Sequence, residues 1–294
     1  QTVNIYNNSK ENSRLNDLRI ANTSAEGIDF AEDVYVIGAL YNTDSIITNV
    51  TNLYICSTTK FADGAWSNTA NFVEGYTLSD DLTIDGAVYL TGGTFKPDGH
   101  RLNVSGNFNM SSTNGSNGNG SLTMNKAEDY ICVNGDFLAY SYYASTLTDG
   151  IIEVKGNFEQ KKAYYGYSNN FAPSGDHKVI LSGRGVQKVN FESEISKFNV
   201  LEITKSLETG YIFSRTPLWN ELLEKKPDDK PPTSPTNLHI ERSTSTSIKI
   251  TWNESEDESG IYCYYIYRDG ERIGSTRNLY YVDTGLKSLS QHLY

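Results

Sequence analysis

The chain of 294 residues is 37% hydrophobic and 21% charged, which is long enough for roughly two domains and too apolar for a disordered chain. Its formal net charge of -11 disfavours nucleic acid and anionic membranes as partners, because both are themselves negatively charged. A run of roughly 18 apolar residues, which a membrane-spanning helix requires, does not occur.

The start of the chain parallels a later segment. Residues 1–4 match residues 187–190 at an offset of 186. A second set matches at an offset of 183: Leu18, Ile20, Gly27 and Phe30 with Leu201, Ile203, Gly210 and Phe213. These matches predict a module of about 185 residues. We therefore expect the chain to begin partway through one module and to be a monomeric fragment of a longer protein, unless the two segments share these positions by chance.

One short pattern recurs through the middle of the chain. It reads LNVSGNF at residues 102–108, ICVNGDF at 131–137 and IEVKGNF at 152–158, with weaker copies at 82–88 and 179–185. Apolar and polar residues alternate before the glycine, which is the two-residue period of a half-buried strand. The glycine predicts a corner, where the backbone often needs the positive φ that glycine adopts without steric cost.

The regular return of this motif favours stacked coils. We predict an all-β fold in which residues 1–222 form a parallel, right-handed β-helix or solenoid, with Phe108, Phe137 and Phe158 stacked in successive coils. A meander of antiparallel hairpins would show the same alternation but would not require the same internal spacing. Helical patterns are nearly absent, and residues 218–224 could form a short helix or one more strand.

Two tyrosine clusters follow two of the repeated segments. The first cluster is Tyr140, Tyr142 and Tyr143, and the second is Tyr164, Tyr165 and Tyr167. If the coils stack, both clusters lie on one edge of the solenoid, where aromatic faces could stack on sugar rings. We hypothesise that they form a strip that binds a glycan or a protein partner. The alternative is that these tyrosines pack inside the coils or hold a loop against the side.

A proline-rich segment follows the predicted solenoid. Five of the seven prolines lie between Pro217 and Pro235, and residues 223–235 are also rich in charge. Because proline restricts the backbone to extended conformations, this composition predicts a semi-rigid linker.

The last segment, residues 236–294, resembles a fibronectin type III module. The matching residues are 234–238, 247–252, 262–270 and 281–286, which correspond to strands A, B, C and E of that family. The resemblance implies that Trp252 is a core residue, together with Tyr264 or Tyr265. The family's tyrosine corner and last two strands do not follow Leu286, so we expect an incomplete and poorly packed β-sandwich.

Residues 82–215 also resemble, less sharply, repeat units of large secreted or cell-wall-attached proteins of Gram-positive anaerobic bacteria. The matching text is the repeated Gly-Asn-Phe and Gly-Asp-Phe segments together with residues 177–189 and 198–203. That resemblance implies an extracellular scaffold joined to fibronectin modules, and it brings no catalytic residues.

Neither the cysteines nor any common catalytic motif points to enzymatic activity. Cys56, Cys132 and Cys263 are too few for a disulfide framework and are not spaced as zinc ligands, so we expect buried free thiols. The chain contains neither a glycine-rich phosphate loop nor the motif of a nucleophile elbow. We predict no catalytic residue and no cofactor.

Two further groups of residues leave a metal site open as an alternative. Asp80, Asp81 and Asp85 form a tight acidic group, which is either a solvated strand entry or a calcium site. His100 and His177 lie at equivalent predicted corners, where they are either turn residues or metal ligands. We prefer the interpretations without a metal, which are a solvated strand entry for the aspartates and turn residues for the histidines, and we predict no metal site.

These observations favour a secreted or cell-surface protein without enzymatic activity. It would act as a scaffold or adhesin and present a carbohydrate- or protein-binding edge to a glycan, a host surface or a cell wall. One alternative is a carbohydrate-active β-helix enzyme, either a polysaccharide lyase or a glycoside hydrolase, and the hydrolase would need paired carboxylates across a cleft. The other alternative is a purely structural spacer.

Overall fold

The computed structural model describes residues 2–3, 14–21, 27–30, 32–42, 47, 52–163, 170–216, 218–225, 231–257, 261, 263–276 and 278–294. The chain divides into two compact units, Gln1–Lys226 and Pro227–Tyr294. Residues 226–230 of the predicted linker lie outside the described residues.

The first unit is a parallel β-solenoid of about nine turns. Each complete coil adds one short strand to each of two long parallel sheets, and the central coils add a strand to a third sheet. Neighbouring strands pair in parallel, as in the series Leu102, Ile131 and Ile152, whose members lie side by side in successive coils. Stacked coils are therefore confirmed, and the antiparallel meander is wrong.

The strands of these sheets are only two to six residues long, because each coil soon turns a corner. Sheet 1 contains Ala65–Trp66, Leu82–Ile84, Arg101–Val104, Tyr130–Val133, Ile151–Val154, Lys178–Leu181, Phe198–Ile203 and Trp219–Glu224. Sheet 2 contains Arg14–Leu15, Val34–Val36, Leu53–Ile55, Ala70–Phe72, Val88–Leu90, Phe108–Met110, Phe137–Ala139, Phe158–Gln160, Gln187–Phe191 and Tyr211–Phe213. Sheet 3 contains Tyr76–Thr77, Gly92–Lys96, Asn119–Met124 and Thr146–Leu147. Smaller parallel pairs join Thr2–Val3 to Asp29–Phe30 and Ala39–Leu40 to Lys60–Phe61.

A ladder of phenylalanine rings runs through the core of the solenoid. Phe137 lies between Phe108 and Phe158, with ring centroids 5.2 Å apart on each side and ring planes within 5° of parallel. All three side chains are at most 1% exposed. Because each ring covers the next, one coil cannot bury its apolar face without its neighbours.

The repeated glycines serve a purpose different from the predicted one. Gly106, Gly135 and Gly156 do not have positive φ. A Cβ at Gly135 would lie 2.3 Å from the Asn107 Oδ1 and 2.7 Å from the Gly106 carbonyl carbon, and one at Gly156 would meet the coil before it in the same way. Glycine is therefore needed because successive corners approach too closely for a side chain.

The two ends of the solenoid use equivalent pairings. Thr2 and Val3 lie beside Asp29 and Phe30, and Lys188 and Val189 lie beside Ile212 and Phe213. These pairs are related by the offsets of 186 and 183 that the sequence shows. The two segments therefore occupy equivalent places in a coil.

The remaining local predictions have mixed outcomes. Residues 219–224 form a strand that pairs with Phe198–Ile203, two residues past the predicted end of the solenoid, while the only α-helix among the described residues is Leu207–Gly210. Cys56 and Cys132 are buried free thiols, but Cys263 is only half-buried.

The second unit consists of two small antiparallel sheets within its described residues. One contains Thr236–Ser243, Ser247–Asn253 and Tyr280–Thr284, and the other pairs Tyr264–Arg268 with Glu271–Thr276. Its buried core is small: Ile250, Trp252, Tyr264 and Ile266. Every residue of the strand Thr236–Ser243 is exposed.

One ion pair joins the two sheets of this unit. The Arg268 guanidinium donates to both oxygens of the buried Asp283 carboxylate, at 3.0 and 2.9 Å, and the Tyr294 hydroxyl donates to the same group at 2.6 Å. Both bonds from Arg268 come from Nη1, and such charge-assisted hydrogen bonds add directional contacts where apolar burial is limited.

We predict that Phe137→Ala lowers the free energy of unfolding of the solenoid by about 3–5 kcal/mol, because the substitution leaves a cavity between two rings that cannot close up. Urea denaturation measures the change. Leu138→Ala is the matched control, since Leu138 lies half-buried on the outer face of the same strand, and it should cost less than about 1.5 kcal/mol. Equal losses for the two variants would contradict the ladder.

Candidate glycan-binding surface

A polar groove of about 360 Å³ runs across four coils on the outer face of sheet 2. Two rows of side chains line it, and each row receives one residue from every coil. The corner row is Asn107, Asp136, Asn157 and Lys188, and the strand row is Asn109, Leu138, Glu159 and Asn190. The groove therefore repeats along the stack at the spacing of neighbouring strands, which is about 4.8 Å.

The corner row is positioned by a ladder of hydrogen bonds. Asn107 Oδ1 accepts from the backbone N–H of Asp136 at 2.8 Å, Asp136 Oδ1 accepts from that of Asn157 at 2.6 Å, and Asn157 Oδ1 accepts from that of Lys188 at 2.8 Å. Each side chain thus holds the corner of the next coil. Asp136 Oδ2 accepts no bond from the described residues, so it can receive a donor from a ligand.

The strand row faces outward because successive side chains of a strand point to opposite faces. Phe137 and Ala139 point into the core, which turns Leu138 to the surface, and Glu159 lies beside it in the next coil. Leu138 gives the groove an apolar patch between amide and carboxylate groups. This combination suits a ligand with hydroxyl groups around an apolar face.

Tyr140 lies at the border of this groove. It is two residues beyond Leu138 and half-buried, with the buried Ala139 and Ser141 on either side, so it continues the outward-facing positions. The Lys161 Nζ lies 5.8 Å from the centre of its ring and 3.5 Å from the Glu159 carboxylate. Aromatic, cationic and anionic groups therefore meet at this edge.

Buried polar side chains hold the backbone around Tyr140 in place. Ser141 Oγ donates to the Gly120 carbonyl at 2.5 Å, which ties the corner to the preceding coil. Asn170 Nδ2 donates to the carbonyls of Ser141 and Lys161 at 3.2 and 2.9 Å, and its Oδ1 accepts from Gln160 at 2.9 Å. The backbone that carries Tyr140 is consequently fixed from both neighbouring coils.

The other predicted tyrosines are only partly described. Tyr142 is half-buried and Tyr143 is 58% exposed, so neither packs in the core. Tyr164, Tyr165 and Tyr167 lie outside the described residues. A continuous strip formed by both clusters therefore stays a prediction.

The groove residues are not among those that the sequence pattern marks as a binding site. The repeated motif does mark most of their places: Asn107, Asp136 and Asn157 follow a glycine directly, whereas Lys188 follows Gln187. In all four coils the strand row comes two residues after the corner row. The side chains in the strand row differ from coil to coil, so they carry no repeated signal of their own.

A second polar cluster lies on the outer face of sheet 1. Glu153 accepts hydrogen bonds from Ser182 Oγ at 2.5 Å and from the Tyr130 hydroxyl at 2.6 Å. Burial acts to raise the pKa of the Glu153 carboxyl, but the bonds from Ser182 and Tyr130 outweigh burial and lower that pKa. The carboxylate is thus ionised and already engaged, which suits a structural role better than proton transfer.

The two corner histidines occupy equivalent positions, two residues before Leu102 and Val179 of the same strand register, but they differ in burial. His100 is half-buried, and its Nδ1 lies 3.9 Å from Asp81. His177 is fully buried, and neither ring nitrogen has a hydrogen-bond partner in the part of the chain that the structure describes. Among the residues that the structure describes, no group of three or more His, Cys, Asp or Glu side chains could hold a metal ion.

Comparison with known proteins finds similarity over a short stretch. Exoglucanase B of Cellulomonas fimi is 40% identical over 70 residues, which are 23% of this chain and 6% of the relative. An alpha-amylase of Niallia circulans is 35% identical over 68 residues, 23% of this chain and 5% of the relative. Chitinase Chi52 of Paenibacillus xylanexedens is 35% identical over 68 residues, 23% of this chain and 13% of the relative.

The chain thus covers only 5% to 13% of the length of these three relatives. No protein-family model and no solved structure matches the chain. Among the described residues, no helix is long and apolar enough to cross a membrane.

We predict that acid destabilises the solenoid through His177. Burial lowers the pKa of this imidazole from 6.5 to about 4. Between these values the unfolded chain binds a proton that the folded chain does not, so the free energy of unfolding falls by about 3 kcal/mol as the pH drops from 7 to 4.

Chemical denaturation across this pH range compares the parent protein with His177→Leu, which should lack this part of the pH dependence. His100→Gln is the control and should keep it. A pH profile unchanged by His177→Leu would contradict the prediction.

Proposed function

We propose that the solenoid is a glycan-binding scaffold and that the groove on sheet 2, with Tyr140 at its border, holds a linear polysaccharide. The observation that supports this proposal most is the periodic lining of the groove, in which each of the four coils that it crosses presents a polar corner residue and a second outward residue. A polymer of similar sugar units can use the same kind of contact in each coil. Amide and carboxylate groups bind its hydroxyls, and Leu138 and Tyr140 contact the apolar faces of its rings.

The comparisons support a carbohydrate context. The relatives are named as an exoglucanase, an alpha-amylase and a chitinase, and each matches over 68 to 70 residues. The second unit, residues 227–294, is 68 residues long. We infer that this unit is a fibronectin type III-type module and that the chain works outside the cell, where the solenoid acts as a scaffold or adhesin.

Two other functions have specific support. The hydrogen-bond ladder of Asn107, Asp136 and Asn157 is satisfied largely within the protein, which favours a structural spacer. The names of the relatives favour a carbohydrate-active enzyme. Incubation with polysaccharides distinguishes an enzyme from a binding scaffold, because an enzyme releases shorter sugars and a scaffold does not.

We predict that the protein binds at least one polysaccharide in a panel of cellulose, chitin, starch and gellan fragments, and that Tyr140→Ala weakens this binding at least tenfold. Asn109→Ala should weaken it about fivefold, because loss of one neutral hydrogen bond costs about 1 kcal/mol. Isothermal titration calorimetry measures both effects.

Tyr280→Ala is the control, because Tyr280 is 44% exposed and belongs to the second unit. It should leave the affinity unchanged. Binding that survives both groove substitutions would reject this groove as the site, and the absence of binding to every fragment would favour the spacer.

A further inference from the structure

A second and larger cavity lies in the solenoid, away from the groove. It has a volume of about 630 Å³ and opens between residues 57–64 of one coil and residues 76–82 of the next. Cavities that hold small ligands have volumes of about 300–1,000 Å³, so its size suits one or two sugar rings.

The cavity exists because the ladder of strands is interrupted here. Lys60–Phe61 pairs with Ala39–Leu40, and Tyr76–Thr77 pairs with Gly92–Lys96, but within the described residues these two pairs are not joined to each other. Two coils that would otherwise be closed by backbone hydrogen bonds therefore leave a cleft between them.

Tyr76 braces this cleft from below. Its hydroxyl donates to the Thr59 carbonyl at 2.8 Å, which links the two coils across the interruption. Its ring is 7% exposed and packs against Phe72 at 5.0 Å and Phe61 at 6.0 Å between centroids. The cleft thus has an aromatic floor that is held in place by a hydrogen bond and by ring packing.

The walls of the cleft combine an aromatic ring with charged groups. Phe61 is half-buried in the wall, while Lys60, Asp80 and Asp81 are exposed around it. Asp81 Oδ1 accepts from the backbone N–H of Arg101 at 2.8 Å, which fixes the direction of this carboxylate. Among the described residues, Asp80 accepts only a long bond of 3.3 Å from Ser79 Oγ, so its carboxylate can take a new donor.

We propose that this cleft is a second binding site and that it takes an amino-sugar unit with a protonated amine. The sugar ring stacks on Phe61, and its ammonium group lies against Asp80. The charged residues that line the cleft are two carboxylates, Asp80 and Asp81, and one lysine, Lys60. The local charge therefore favours a cation and disfavours sugars that carry carboxylate or sulfate groups. The site is independent of the groove on sheet 2, because no lining residue is shared.

The test compares two probes, the tetramer of glucosamine and the tetramer of N-acetylglucosamine, by calorimetry at pH 6 and low salt. The deacetylated probe should bind at least tenfold more tightly than the acetylated one. Asp80→Asn should abolish this difference, and Phe61→Leu should weaken both probes at least fivefold. Equal affinity for the two probes, or no binding of the glucosamine tetramer, would overturn the proposal.

Asp85→Asn is the matched control. Asp85 is an exposed carboxylate of the same acidic group, but it lies outside the cleft and accepts a bond from Ser105. It should leave the selectivity unchanged. Because Asp80 is exposed, the Asp80→Asn variant should unfold at the same melting temperature as the parent protein. A loss of selectivity in this variant then reports on the binding site and not on the fold.

The groove variants separate this proposal from the proposed function. Tyr140→Ala and Asn109→Ala should leave binding of the glucosamine tetramer intact, whereas loss of binding in these variants would place the probe in the groove and overturn the cleft site. If the protein binds no neutral polysaccharide but still selects the glucosamine tetramer, the groove fails and the cleft stands.

Discussion

Parallel pairing of successive coils in a fixed register is the constraint on which the rest of the solenoid depends. It sets Phe108, Phe137 and Phe158 face to face in the core, where each ring buries the next. The same register brings the corners so close together that Gly135 and Gly156 cannot be replaced by a residue with a Cβ without displacing the neighbouring backbone. Core and corners therefore impose the same spacing on the chain.

The register also determines what the surface presents. Successive side chains of a strand point to opposite faces, so a ladder in the core implies a matching row on the surface. Asn109, Leu138 and Glu159 therefore line up on the outer face, one residue after the phenylalanines of the core. The groove is thus a consequence of stacking. Where the pairing stops, between Lys60–Phe61 and Tyr76–Thr77, the surface opens into the cleft that Tyr76 braces. Continuous register yields a repetitive surface suited to a polymer, and interrupted register yields a single pocket.

The sequence predicts the parts of this fold that depend on local patterns. The alternation at residues 102–108 and its copies is a local signal, and it located the strands and the stacked phenylalanines correctly. The predicted reason for the glycines at 135 and 156, a positive φ, is wrong. Glycine is needed there because two corners that are more than 20 residues apart in sequence approach each other closely. The cleft was missed for a similar reason, since it depends on strands that fail to pair. The sequence marks Asp80 and Asp81 as an acidic group, but no local pattern places the Phe61 ring beside them.

Disulfide crosslinking tests the register most directly. Asn109 and Leu138 lie side by side on the outer face of parallel strands, at a separation of about 4.8 Å that a disulfide can bridge. In a Cys132→Ser background, mild oxidation of the variant Asn109→Cys with Leu138→Cys should give one intramolecular crosslink, identified by peptide mass spectrometry. The variant Asn103→Cys with Leu138→Cys should give none, because Asn103 lies beside Cys132 in sheet 1. A crosslink in the second variant but not in the first would mean that these segments pair head to tail, and it would contradict the stacked solenoid.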